Sequence, residues 1–135
     1  LEKKMEDSVK ENVVSKVSIK PAVYTSTVTG DAVDTIGATS AKLVLTVGDI
    51  DLASGNETYK VKIQHCDTSD GTFADLVADA DITADNQTLQ IAVENLDTAT
   101  AKRYLKAVVT LAGTTPSCPC SGVFELGGYQ NSPAQ

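Results

Sequence analysis

Apolar and polar positions alternate with a period of two along most of this chain, and each such run predicts a half-buried strand. The cleanest is Ala101 to Leu111, AKRYLKAVVTL. There Leu105, Ala107, Val109 and Leu111 share one face, and Tyr104, Lys106, Val108 and Thr110 the other. A turn over Gly113 to Cys120 and a short strand from Val123 to Leu126 then predict a hairpin that closes the fold. Tyr59 to Cys66 alternates strictly, with Tyr59, Val61, Ile63 and His65 inward. Thr88 to Asn95 places Leu89, Ile91 and Val93 inward. Ala41 to Val47 is apolar on both faces, which predicts a central strand or one under an N-terminal arm.

The remaining runs are shorter. Ala22 to Thr29 and Asp31 to Ile36 are β-rich and end at Gly30 and Gly37. Val17 to Ile19 leads into Pro21, which belongs at a sheet edge or a strand start. After the turn Asp67 to Thr72, Phe73, Leu76 and Val77 return to the core. Ala78 to Asn86 reads as an exposed connection with a short edge strand near Ile82. The sum is an all-β chain of one β-sandwich, jelly-roll or Ig-like, with about seven to eight short strands.

Leu1 to Lys16 follows another rule. Leu1, Met5, Val9 and Val13 recur every fourth residue, which would put them on one helix face with Val14 beside them. This predicts an N-terminal arm over 1–20, the sandwich over 21–126, and a tail over 127–135 that Tyr129 could anchor. Met5, Val9, Val13, Val14 and Tyr129 are therefore candidate contact residues.

Charge sharpens the picture. Between Pro21 and Thr100 stand thirteen acids and three lysines, while Ala101 to Gln135 has three cations against Glu125 alone. An acidic middle argues against nucleic acid as a partner, because phosphate binding needs a basic face. The cations Lys102, Arg103 and Lys106 cluster at the start of the best strand and are the remaining candidates for a contact with another subunit. No run is long and apolar enough to span a membrane as a helix, so no membrane partner is expected.

Catalytic chemistry finds little footing. His65, the single histidine, lies on the inward face of a regular strand, where a hydrogen-bonded structural role fits better than a base. Cys118-Pro119-Cys120 reads as a tight loop with free thiols. A four-ligand zinc site with His65 and Cys66 is disfavoured, because adjacent strand residues point to opposite faces. A disulfide from Cys66 to one of the pair is the other alternative. Asp67, Ser69 and Asp70 before Gly71 lack a full calcium ligand set and fit a turn. No catalytic residue, metal or cofactor is expected.

Three segments carry a family resemblance: Pro21 to Gly48, Val61 to Leu76, and above all AKRYLKAVVTLAGTT (Ala101 to Thr115), with GVFELGGYQNSPA (Gly122 to Ala134) behind it. Together they resemble the small head decoration, or cement, proteins of tailed bacteriophages. The resemblance implies a structural virion protein, not an enzyme, made in the bacterial host cytoplasm and bound to the outer face of the capsid. It implies the major capsid protein as partner and self-association as a trimer or dimer, with neighbouring capsomers bridged. The Cys118-Pro119-Cys120 stretch and the long charged arm depart from the family pattern. Another virion part (tail, baseplate or head fibre) and a carbohydrate-binding or adhesive sandwich are the alternatives. Sugar sites usually stack on exposed aromatics, and there is no Trp here.

Overall fold

The computed structural model describes residues 13–93, 96 and 101–128. Nine strands follow in order: β1 (Val14–Tyr24), β2 (Val28–Thr29), β3 (Val33–Asp34), β4 (Ser40–Val47), β5 (Thr58–Cys66), β6 (Ala74–Asp81), β7 (Thr88–Val93), β8 (Tyr104–Ala112) and β9 (Cys118–Gly127). One sheet has the order β1-β9-β4-β7 and the other β2-β8-β5-β6, with β3 also paired to β8. The described residues contain no helix long and apolar enough to cross a membrane.

Counted as one interrupted strand along β8, β2 and β3 bring the total to eight. Of the consecutive strands, only β5 and β6 are hydrogen-bonded neighbours; the other connections pass between the sheets. The first and last strands, β1 and β9, lie side by side. This double Greek-key order is the jelly roll, and it decides between the two sandwich types.

The core is aliphatic. Leu43 and Leu45 on β4, Val61 and Ile63 on β5, Leu105 and Val109 on β8, and Phe124 and Leu126 on β9 are completely buried. They are alternate residues of their strands, as a two-sheet core requires. Full burial of such a side chain is worth roughly 1.5–3 kcal/mol. β4 is central, between β9 and β7, in accord with its two apolar faces.

Four readings of the chain need correction. β8 and β9 do not form a hairpin, because they belong to different sheets and the Gly113 turn crosses the sandwich. Cys118-Pro119-Cys120 is not a loop but the start of β9, paired with Tyr24, Val23 and Ala22 of β1. Residues 74–81 form a full strand, β6, on β5. The runs on either side of Pro21 are one strand, so β1 passes through it without ending, although Pro21 does lie at a sheet edge as expected, because β1 is an edge strand.

β1 manages that passage with two register breaks. The second, between Ile19 and Ala22, accommodates Pro21, since a bulge needs no ladder donor there. The first, between Val17 and Ile19, turns Ser18 inward toward the other sheet. Ser18 is buried. Its hydroxyl donates to the Asp31 carbonyl at 2.8 Å and accepts from the Ala107 N–H at 3.1 Å. Asp31 N–H donates to the Ser18 carbonyl at 2.6 Å, and Gly30 N–H to that of Ala107 at 2.7 Å. Gly30 is required here: a Cβ would collide with the Ser18 hydroxyl and sit 2.8 Å from its carbonyl oxygen. One side of the sandwich is thus stitched shut.

Candidate interaction surface

The cationic start of β8 is built by its neighbours. β3 lies on β8 with Asp34 opposite Tyr104. Thr35 donates both its N–H (3.0 Å) and its hydroxyl (2.6 Å) to the Arg103 carbonyl. Asp34 consequently meets the Arg103 guanidinium, which donates to its two carboxylate oxygens at 2.8 Å each. This fork holds the Asp34 carboxyl below its usual range, and Asp34 in turn raises the guanidinium further. Arg103 also lies 5.1 Å from the centroid of the Tyr104 ring. Lys106 Nζ sits 3.9 Å from the centroid of Phe73, and Lys102 pairs with Asp67 at 3.7 Å. The Lys102 N–H donates to His65 Nδ1 at 3.2 Å. Burial, then the charge of Lys102, lowers the affinity of His65 for a proton. Each of the three cations therefore has a partner within its own chain.

Val13 and Val14 lie elsewhere. Val14 stands opposite Leu126 at one end of the β1-β9-β4-β7 sheet. Val13 joins Val44, Ala92, Lys42, Glu125 and Leu126 around an open hollow of about 610 Å³ on that sheet's outer face. The register aligns Val17, Val123, Val44 and Gln90 in one row across all four strands. Val17 is 49% exposed, and Val23, opposite Pro119, is 63% exposed. The charges on this face are absorbed locally. Lys42 stands opposite Glu125 and donates to Gln90 Oε1 at 3.0 Å, and the Ser15 hydroxyl donates to Glu125 at 2.6 Å.

The outer face of the other sheet is different in kind. Lys62 and Asp75 pair at 3.1 Å, with Lys60 and Asp81 opposite each other. Gln64 also donates to Asp75, which, with Lys62, keeps that carboxyl below its usual range. That is a solvated charged face. The uncharged Val row with its hollow is the better candidate for contact with another protein surface. Its signal in the sequence was the second apolar face of β4, carried by Val44. Met5, Val9 and Tyr129 lie outside the described residues.

The thiols occupy the interior. Cys118 and Cys120 are buried on the inward side of β9, Cys66 is half-buried at the far end of β5, and all three are free. A hydrogen bond between Cys118 and Cys120 lowers the first thiol's pKa and raises the second's, with burial adding to the rise. Among the described residues, no three His, Cys, Asp or Glu side chains are grouped to hold a metal ion.

At the end of β5 opposite Cys66, Glu57 is buried and ties two loops together. Its carboxylate accepts from the Ser54 N–H and from the N–H and hydroxyl of Thr115, each at 3.2 Å. Burial works to raise its pKa, but these donors outweigh it and the net direction is downward. Gly113, at φ 112°, permits the close approach, since a Cβ there would sit 2.6 Å from the Glu57 Cα.

The fold has solved counterparts in virus particles. A chain of infectious bursal disease virus, Gx strain, is 17% identical, with a TM-score of 0.55. VP2 of that virus's subviral particle is 15% identical, with a TM-score of 0.56. Both matches cover 90% of this chain and 34% of the other, so the chain spans about a third of the length of the solved chains it matches. No protein-family model and no curated relative matches the chain. At such identity the likeness establishes the fold: a two-sheet jelly roll of the type found in these viral shell proteins.

Proposed function

We propose that this chain is a structural, non-catalytic virion protein that binds the outer surface of a tailed-phage capsid and braces the shell by bridging neighbouring capsomers. The observation that carries the proposal is the jelly-roll fold, shared over 90% of the chain with proteins of virus particles. The resemblance of Ala101 to Thr115 to phage decoration proteins supplies the finer reading. In this reading the outer face of β1-β9-β4-β7, with its uncharged Val row, lies against the major capsid protein. The part of the N-terminal arm that precedes β1 contacts a neighbouring capsomer. The charged outer face of β5, β6 and β8 remains in solvent. The protein is made in the bacterial cytoplasm, where its three thiols stay reduced.

The test is reconstitution on undecorated heads, followed by cryo-EM of the particles. Density for the jelly roll on the outer shell surface is expected. Deleting residues 1–12 spares β1 entirely, and should weaken binding while leaving the fold intact. Val44→Glu together with Val17→Glu should abolish binding, because two unpaired carboxylates would be desolvated at the contact. Density in the tail or baseplate, or full decoration by the double variant, would overturn the reading.

A further inference from the structure

We propose that β7 is a self-pairing edge, through which two copies of this chain join into one continuous eight-stranded sheet. Among the described strands the sandwich has four edges: β1, β7, β6 and the β2–β3 pair. An open edge invites another strand unless charge, proline, a bulge or brevity blocks it. β1 carries Lys16, Lys20 and Pro21 and two register breaks. β6 carries Asp75, Asp79 and Asp81 and two register breaks of its own. β2 and β3 are two residues each. β7, Thr-Leu-Gln-Ile-Ala-Val, has none of these features: no charge, no proline, no glycine and an unbroken register with β4.

The hydrogen-bond phase shows which groups face outward. Val47 N–H donates to the Gln87 carbonyl at 2.8 Å, so those two residues form a hydrogen-bonded pair. Such pairs recur at every second residue of an antiparallel ladder. Leu89, Ile91 and Val93 are thereby bonded to β4, and Thr88, Gln90 and Ala92 turn their backbone groups to an edge that no other described strand pairs with.

A two-fold axis at Gln90 satisfies this edge with itself. Gln90 faces Gln90 of the second copy, and Thr88 faces Ala92 on either side, giving three rungs and about six backbone hydrogen bonds. No like charges meet, whereas β6 paired with itself would bring aspartates together. On the inner face, Leu89 falls opposite Ile91 of the mate. Both are only half-buried in the single chain, although they point toward the core. The second copy covers them, and apolar cross-strand pairs of this kind stabilise a sheet. This inference does not depend on the shell-binding proposal, since it concerns the sheet's edge rather than its outer face.

The experiment is sedimentation equilibrium on the full chain, across a concentration series reaching about 1 mM. The expected mass is that of two chains, falling to one in Gln90→Pro, which removes the donor at the axis. A second variant guards against misfolding. Gln90→Cys in a Cys66→Ser background should cross-link two copies under mild oxidation, because paired Cα atoms at about 5.5 Å are within disulfide reach. Thr110→Cys, on the outer face of β8, should not. A monomer at every concentration, a trimer, or a dimer that ignores Gln90→Pro and leaves Gln90→Cys uncross-linked would overturn the proposal.

Discussion

The two sides of the sandwich are closed by different means. Where β1 meets β2 and β3, the sheets are stitched by Ser18, Gly30 and Asp31 through four hydrogen bonds and fastened at the end by the Arg103–Asp34 fork. Where β6 and β7 lie, Leu76, Val77 and Ala80 on one strand and Leu89 and Ile91 on the other pack on the core only in part. The same fold thus has a side that is internally complete and a side with apolar surface to spare. Polar stitching makes an edge unavailable to other chains. A neutral strand with half-covered leucine and isoleucine leaves it open.

The contrast can be broken most severely at Gly30. Gly30→Ala forces a Cβ against the Ser18 backbone and should cost about 3 kcal/mol by denaturant unfolding. Ser18→Ala follows at about 2 kcal/mol, since it strands the buried Ala107 N–H and the Asp31 carbonyl. On the open side, Ile91→Ala should cost about 1 kcal/mol in the single chain, because the side chain is only half-covered. Full burial in a dimer would roughly double that cost at high protein concentration.

The smallest effect belongs to the fork. Arg103→Lys should lose less than about 1 kcal/mol, as both partners are partly solvated. Its pH behaviour is more telling than its size. The folded Asp34 carboxyl lies below the ordinary 3.8. Its contribution is therefore complete above that value and is lost as pH falls through the lower folded value. Asp34→Asn should flatten this part of the acid unfolding profile, followed by circular dichroism. Pairing through β7 involves no titrating side chain and should not change over the same range.

Much of this architecture was legible in the chain. The faces of β4, β5, β7 and β8 follow from alternation alone, because each has one buried side. β6 did not show itself: Leu76 and Val77 are adjacent rather than alternate, and Asp75, Asp79 and Asp81 mask a strand whose outer edge is solvated. β9 was legible over less than half its length, because two cysteines around a proline look like a turn. The β8–β9 crossing was invisible, since a turn between sheets has the same composition as a turn within one. For the surface residues, the cations of β8 were visible but their partners were not. Asp34, Asp67 and Phe73 are brought to them by the topology, not by spacing. The apolar outer row was half visible in Val44, and Val17 and Val123 acquired meaning only once the register aligned them.

The adjacency of β1 and β9 also governs how the molecule can come into being. Ser15 and Glu125 bond across 110 positions of chain, and β9 is the strand to which both β1 and β4 must attach. A ribosome releases these elements in order, so β1 and β4 wait for the piece that lies between them. Until it emerges, β1 has no ladder partner and Val17 and Ile19 remain open to incorrect contacts. Loops this long close slowly. Folding should then be governed by chain completion and by protection of the waiting strands, more than by any step in the sheet that carries β5 and β8.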